Sequence, residues 1–160
     1  MNFKLFTISL ATISTLGIFT TSVPVQAATH NINEREVNDQ VARLTVGLNS
    51  QDILLLSGKL GPQNGKLDGS DMFQLSIKEK GKVRFVLSKQ DKKQNSQNSI
   101  RLWTDRNGDR RITNETRLFS KPTFQDTVID LAPGTYIVQI TQSKKVPVAK
   151  GYTAVIHRAK

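Results

Sequence analysis

Residues 73–87 read F-Q-L-S-I-K-E-K-G-K-V-R-F-V-L. Phe73, Leu75 and Ile77 alternate with Gln74, Ser76 and Lys78. After Glu79-Lys80-Gly81-Lys82 the alternation resumes with Val83, Phe85 and Leu87. An apolar period of two marks a strand with one face on a core and the other toward water. Two such runs flanking a short Gly-containing turn predict a β-hairpin. Lys78, Lys82 and Arg84 then point to solvent.

The same period recurs on both sides of this stretch. It predicts further strands at 42–48, 53–60, 100–104, 127–131, 135–141 and 152–157. Turn chemistry separates them: Gly61-Pro62 with Asn64-Gly65, Asp68-Gly69, Asn107-Gly108 and Pro133-Gly134. About eight short strands at such spacing, with no sustained 3.6-residue stripe, imply an all-β fold: a single antiparallel β-sandwich, jelly-roll-like. Ile53-Leu54-Leu55-Leu56 is apolar at every position, which predicts a central strand covered on both faces. Lys89–Ser99 is polar and low in complexity and reads as a loop, and the Pro-containing basic stretch 144–151 as another.

Lys4, an apolar run from Leu5 to Phe19, and the small residues Val25 and Ala27 form a secretory signal pattern, with cleavage expected after Ala27. The apolar run is shorter than the roughly 20 residues a membrane span needs. The expected product, residues 28–160, is one domain, secreted or periplasmic, with no stable membrane insertion. The chain has no cysteine, which excludes a disulfide framework and thiolate chemistry. Lys and Arg number 23 against 13 Asp and Glu, a formal net charge of +10, and loss of Lys4 with the leader lowers it by one. A surplus of this size attracts polyanions. Export points away from nucleic acid and toward acidic polysaccharide or anionic lipid.

Several motifs, in order, resemble the bacterial pre-peptidase C-terminal domain family, whose close relatives include the collagen-binding domains of clostridial collagenases. Glu36-Val37-Asn38-Asp39, followed by Ala42 and Leu44, is similar to the family's E-P-N-D, with Val37 replacing proline. Ser57-Gly58-Lys59-Leu60 precedes Asp68-Gly69-Ser70-Asp71-Met72-Phe73-Gln74-Leu75, which resembles D-x-D-x-[YF]-x-[FL]. Ile100-Arg101-Leu102-Trp103-Thr104-Asp105 leads into an Asn-Gly turn. Leu131-Ala132-Pro133-Gly134-Thr135-Tyr136-Ile137-Val138-Gln139-Ile140 resembles L-x-x-G-T-Y-Y-[VI]-x-V, and Tyr152–Ile156 the closing strand. The resemblance spans roughly residues 34–158. It implies a β-sandwich module of exported proteins, non-catalytic, acting on its own or beside an exported partner. Tyr136, sharing a strand face with Val138 and Ile140, reads as core.

Glu34, Glu36, Asn38 and Asp39 gather oxygen ligands of the kind calcium takes. On the residues alone this stretch is either a hydrated terminal segment or part of a cation cradle. The resemblance implies the cradle, with Asp68 and Asp71 completing the ligand set and calcium as the expected cofactor. A second, weaker metal candidate is Asp105-Arg106-Asn107-Gly108-Asp109. It offers Asp105, Asn107 and Asp109, but has Arg110 at the position of an EF-hand glycine and Thr116 at that of the bidentate Glu. It reads first as a turn between strands.

No catalytic constellation emerges. His30, placed in a flexible leader, and His157, near the other end, are the only histidines, and neither has a triad setting or a spaced ligand partner. The sequence therefore predicts a binding module that holds an acidic extracellular polymer. Lys78, Lys80, Lys82, Arg84, Lys92, Lys93, Lys144, Lys145 and Lys150 are its expected charges. The alternative is an accessory domain for the folding, secretion or assembly of an exported protein partner. Collagen binding is not carried over, because Trp103, Tyr136 and Tyr152 are the only Trp and Tyr residues and at least two are expected in the core.

Overall fold

The computed structural model describes residues 28–33, 42, 44–49, 51–63, 65–89, 98–122, 125–142 and 149–160. They form β1 (Thr29–Asn33), β2 (Leu44–Leu48), β3 (Ile53–Gln63), β4 (Lys66–Asp68), β5 (Ser70–Ile77), β6 (Gly81–Lys89), β7 (Asn98–Thr104), β8 (Arg117–Pro122), β9 (Thr127–Leu131), β10 (Gly134–Gln142) and β11 (Lys150–Arg158). Two sheets result. One runs β1-β3-β11-β6-β9, with β4 folded onto β3; the other runs β2-β5-β10-β7-β8. All pairings are antiparallel except β1 with β3 and β2 with β5, parallel additions at the two edges. No helix among the described residues is long and apolar enough to cross a membrane.

The sheets close over one core. Leu54, Leu56 and Leu60 of β3, Val83, Phe85 and Leu87 of β6, and Ala154 and Ile156 of β11 meet Phe73, Leu75 and Ile77 of β5, Ile100 and Leu102 of β7, and Val138 and Ile140 of β10. Full burial of such a side chain is worth roughly 1.5–3 kcal/mol, so this interior supplies most of the driving force.

The predicted hairpin is absent, although both of its strands exist. β5 pairs with β2 and β10, whereas β6 pairs with β11 and β9, so residues 78–80 arch from one sheet to the other. Both runs turn their apolar faces to the same interior from opposite sides, and alternation reads identically for a hairpin and an arch. Gly61-Pro62 is not a turn either: β3 continues through it, Pro62 lies opposite Leu67, and the chain reverses near Gly65, whose φ is 76°. Ile53-Leu54-Leu55-Leu56 does lie inside its sheet, between β1 and β11. Only Leu54 and Leu56 are buried, however, while Leu55 is half-buried and Ile53 exposed, so one face of this strand is open.

A buried polar link ties the sheets together. Tyr152 of β11 donates its hydroxyl to Asp71 Oδ2 of β5 at 2.5 Å, and both residues are fully buried. Gly58, opposite Tyr152 in the register, makes room for it. At the start of β10, Tyr136 is buried as expected and donates its hydroxyl to the Ala132 carbonyl at 2.9 Å, fixing the Pro133-Gly134 turn.

Candidate functional site

The outer face of the five-stranded sheet carries a second, smaller structure. Because Phe73, Val138 and Leu102 point inward, alternation sends Met72 and Gln74 of β5, Ile137 and Gln139 of β10, and Arg101 and Trp103 of β7 outward. Met72, Ile137 and Ala42 form a buried apolar cluster, with Trp103 and Ile112 packed against it. Two rows cross the sheet here. Gln74, Ile137, Trp103 and Arg117 make one; Met72, Gln139, Arg101 and Ser120 make the other. An irregularity of register between Leu102 and Trp103 brings Arg117 opposite Trp103.

The polar groups of this face are aligned by one another. Trp103 Nε1 donates to Gln139 Oε1 at 3.2 Å, and Gln139 Nε2 donates to Ser70 Oγ at 3.0 Å. The Arg117 guanidinium carbon stands 5.7 Å from the centroid of the Trp103 ring, a cation–π arrangement. Arg101 is half-buried, and its Nε–H is removed from solvent without an acceptor. Burial, and then the neighbouring charge of Arg117, pull the Arg101 pKa below the usual arginine value.

Residues 105–116 flank this face and add Arg106, Arg110 and Arg111, all exposed. The acids among them are turned to the backbone. Buried Asp105 accepts from Gln74 Nε2 at 2.6 Å and from the Arg110 N–H at 3.3 Å. Asn107 Oδ1 takes the Asp109 N–H at 3.1 Å, Asp109 Oδ1 takes the Arg111 N–H at 2.8 Å, and Asn107 Nδ2 donates to Asp109 Oδ2 at 3.0 Å. Glu115 accepts from Thr104 Oγ1 at 2.5 Å and from the Arg106 N–H at 3.1 Å. Positive φ at Gly108 (70°) and Arg110 (64°) completes a tight turn. The second metal candidate, Asp105, Asn107 and Asp109, is thus a turn whose side-chain oxygens already receive protein donors. The Ala42 N–H donates to the Arg110 carbonyl at 2.9 Å and fastens the loop to the sheet.

Of the first metal candidate, Glu34, Glu36, Asn38 and Asp39 lie outside the described residues. Asp68 and Asp71 are both buried, at 1% and 0% exposure. Asp68 Oδ2 accepts from Gln63 Nε2 at 2.9 Å, while Asp71 holds Tyr152. Among the described residues no three of His, Cys, Asp and Glu gather as a metal site. His30 is not in a loose leader: it lies in β1, parallel to β3 and opposite Leu54, with Nε2 3.7 Å from Asp52 Oδ2. His157 lies opposite Ile53, so the two histidines occupy opposite faces of the six-stranded sheet.

The predicted polymer-binding charges that fall among the described residues are dispersed. Lys78 and Lys80 are exposed at the arch, and Lys82 and Arg84 are exposed on the outer face of the six-stranded sheet. Arg84 Nε lies 3.6 Å from Asp126 Oδ2, and Lys82 stands opposite Asp130 in the register, so acids offset both. Lys150 opens β11. Lys92, Lys93, Lys144 and Lys145 lie outside the described residues. Sequence reasoning passed over Arg101, Trp103, Arg117 and Gln139 as a group. The signal for half of it was present: Ile100 and Leu102 turned inward force Arg101 and Trp103 onto the other face.

The architecture is that of a small two-sheet β-domain with a pre-peptidase C-terminal-like fold. The chain is similar to the pre-peptidase C-terminal domain of collagenase from Bacillus anthracis, with a TM-score of 0.51 at 12% identity over 74% of this chain and 99% of that one. Weaker likenesses are to the Yersinia pseudotuberculosis-derived mitogen (TM-score 0.47, 11% identity, 68% of this chain and 86% of that one) and to the periplasmic inhibitor of g-type lysozyme from Aeromonas hydrophila (0.43, 9%, 84% and 100%). No protein-family model matches the chain, and no curated protein matches it in sequence.

Proposed function

We propose that this chain is a non-catalytic binding module of the exported class, which holds acidic extracellular polymers against the arginine-rich outer side of its five-stranded sheet. The observation that carries the reading is the way charge is divided there. Arg101, Arg106, Arg110, Arg111 and Arg117 fall within 17 residues, whereas Asp105, Asp109 and Glu115 in the same stretch accept hydrogen bonds from backbone N–H and side-chain donors. The carboxylates leave the guanidinium groups free to meet an anion from outside. Arginine suits that task, since its planar fork matches carboxylate and sulfate oxygens two at a time.

The test is retention on immobilised heparin at low ionic strength. The chain should bind and elute at moderate salt, as screening shortens the reach of surface charge to about 8–10 Å. Exchanging Arg106, Arg110 and Arg111 for Gln should advance elution more than exchanging Lys78, Lys80 and Lys82. Flow-through of the unaltered chain at low salt would end the proposal.

The likeness to a domain of a collagenase supports a second reading, an accessory module for an exported protein partner. That reading calls for a specific protein in a pull-down, insensitive to heparin. Calcium as a stiffening ion belongs to the same proposal. Buried Asp68 and Asp71 are hard-oxygen donors of the kind calcium takes, and Glu34, Glu36, Asn38 and Asp39 would supply the rest. Calcium at 100 times its Kd should add about 2.7 kcal/mol to stability, read as a higher Tm than in chelator. Superimposable melts would remove the ion.

A further inference from the structure

We propose that Arg101 and Arg117 form a discrete subsite for one oxyanion group, the carboxylate or sulfate of an acidic sugar, on a platform made by Trp103 and Gln139. The subsite rests on the polyanion reading above and gives it a location distinct from general surface charge.

Two like charges lie diagonally on adjacent strands, Arg117 opposite Trp103 and Arg101 two residues along β7 from it, and among the described residues no carboxylate lies at ion-pair distance from either. A charged group's donor withdrawn from water is costly unless an acceptor meets it. The Nε–H of Arg101 is withdrawn and donates to no protein acceptor. Nor is Arg117 free to swing away at no loss. Arg117 is drawn to the face of Trp103, Trp103 is held by Gln139, and Gln139 by Ser70, so these contacts hold the Arg117 guanidinium over the platform before any ligand arrives. The nearby acids that might have neutralised the pair are committed elsewhere: Asp105 to Gln74 and Arg110, Glu115 to Thr104 and Arg106. An oxyanion lying between the two guanidinium groups would relieve their repulsion and accept charge-assisted hydrogen bonds from both. Such a group on a sugar chain would let neighbouring residues of the polymer run toward Arg106, Arg110 and Arg111.

The experiment is calorimetric titration of the whole chain with sodium sulfate and with sodium glucuronate, against sodium chloride at matched ionic strength. One saturable site should appear for sulfate, glucuronate or both, and none for chloride; the stronger of the two ligands identifies a sulfated or a carboxylated polymer. Arg101→Gln and Arg117→Gln should each weaken binding at least tenfold, while Lys59→Gln, an exposed position on β3 of the other sheet, leaves it unchanged. The near-ultraviolet circular dichroism of Trp103 verifies that each variant is folded. In sulfate-free buffer Arg101→Gln should melt no lower than the parent, because it removes an unanswered charge. Unaltered affinity in both arginine variants, or no saturable heat with either oxyanion, would overturn the subsite. If heparin retention persists in that case, the polymer reading survives without it. If sulfate binds through these arginines but heparin passes through, the subsite stands and the polymer reading falls.

Discussion

At Gly58 a single added carbon would lie 2.6 Å from Asp71 Oδ2 and 2.7 Å from Tyr152 Oη, both fully buried side chains with nowhere to retreat. Gly58→Ala should therefore break the hydroxyl–carboxylate link between the sheets and cost about 2 kcal/mol or more, measured by urea unfolding. Tolerance of alanine would mean that the link can move aside. Asp52 offers a second test. Burial raises its pKa, but hydrogen bonds from the backbone and side chain of Asn49, the charge of His30 and the backbone near Ala28 outweigh that effect, and the net shift is downward from 3.8. A carboxylate with a depressed folded pKa contributes stability above its unfolded value and loses it as pH falls through the folded one. Asp52→Asn should cost about 1 kcal/mol at neutral pH, with the gap to the parent closing below about pH 3.8; a gap independent of pH would contradict this. Single residues differed in how openly the sequence announced them. Tyr136 could be assigned to the core from its strand phase, whereas the meeting of Asp71, Tyr152 and Gly58 is spread across three strands and two sheets, which no local pattern encodes.

Among the elements, strands with a strong apolar face were visible and those without one were not. β3, β5, β6, β7, β10 and β11 each show period two, because each lines the core. β1 (Thr-His-Asn-Ile-Asn) and β8 (Arg-Leu-Phe-Ser-Lys-Pro) carry little alternation, since edge strands are held largely by backbone pairing with a neighbour. Pairing itself was hidden: the arch at 78–80 and a hairpin have the same sequence signature. Position within a sheet should also govern sensitivity. Leu56→Ala, fully buried in an inner strand, should cost 2–5 kcal/mol, whereas Val128→Ala, exposed on edge strand β9, should stay within about 0.5 kcal/mol. Equal losses in chemical denaturation would show that β9 bears on the core more than its exposure implies.

For the molecule as a whole, the net charge of +10 suggested a partner class without suggesting a place. The described lysines among those expected to bind polymer are dispersed, and two of the cations first favoured, Lys82 and Arg84, face acids. The arginine face is made by β7, β8 and the 105–116 loop lying side by side: the register puts Arg117 opposite Trp103, diagonal to Arg101 two residues along β7, a relation that spacing along the chain does not show. The sandwich also has a consequence in time. β11 is wedged between β3 and β6, and β10 between β5 and β7, so the middle of each of these paths is filled by a strand that is synthesised after the strands it joins. Until residues 134–158 have been synthesised, the earlier strands flank two gaps and have no complete sheet to join. Premature collapse of the earlier strands is thereby discouraged during translation, and the two sheets close only as their central strands arrive.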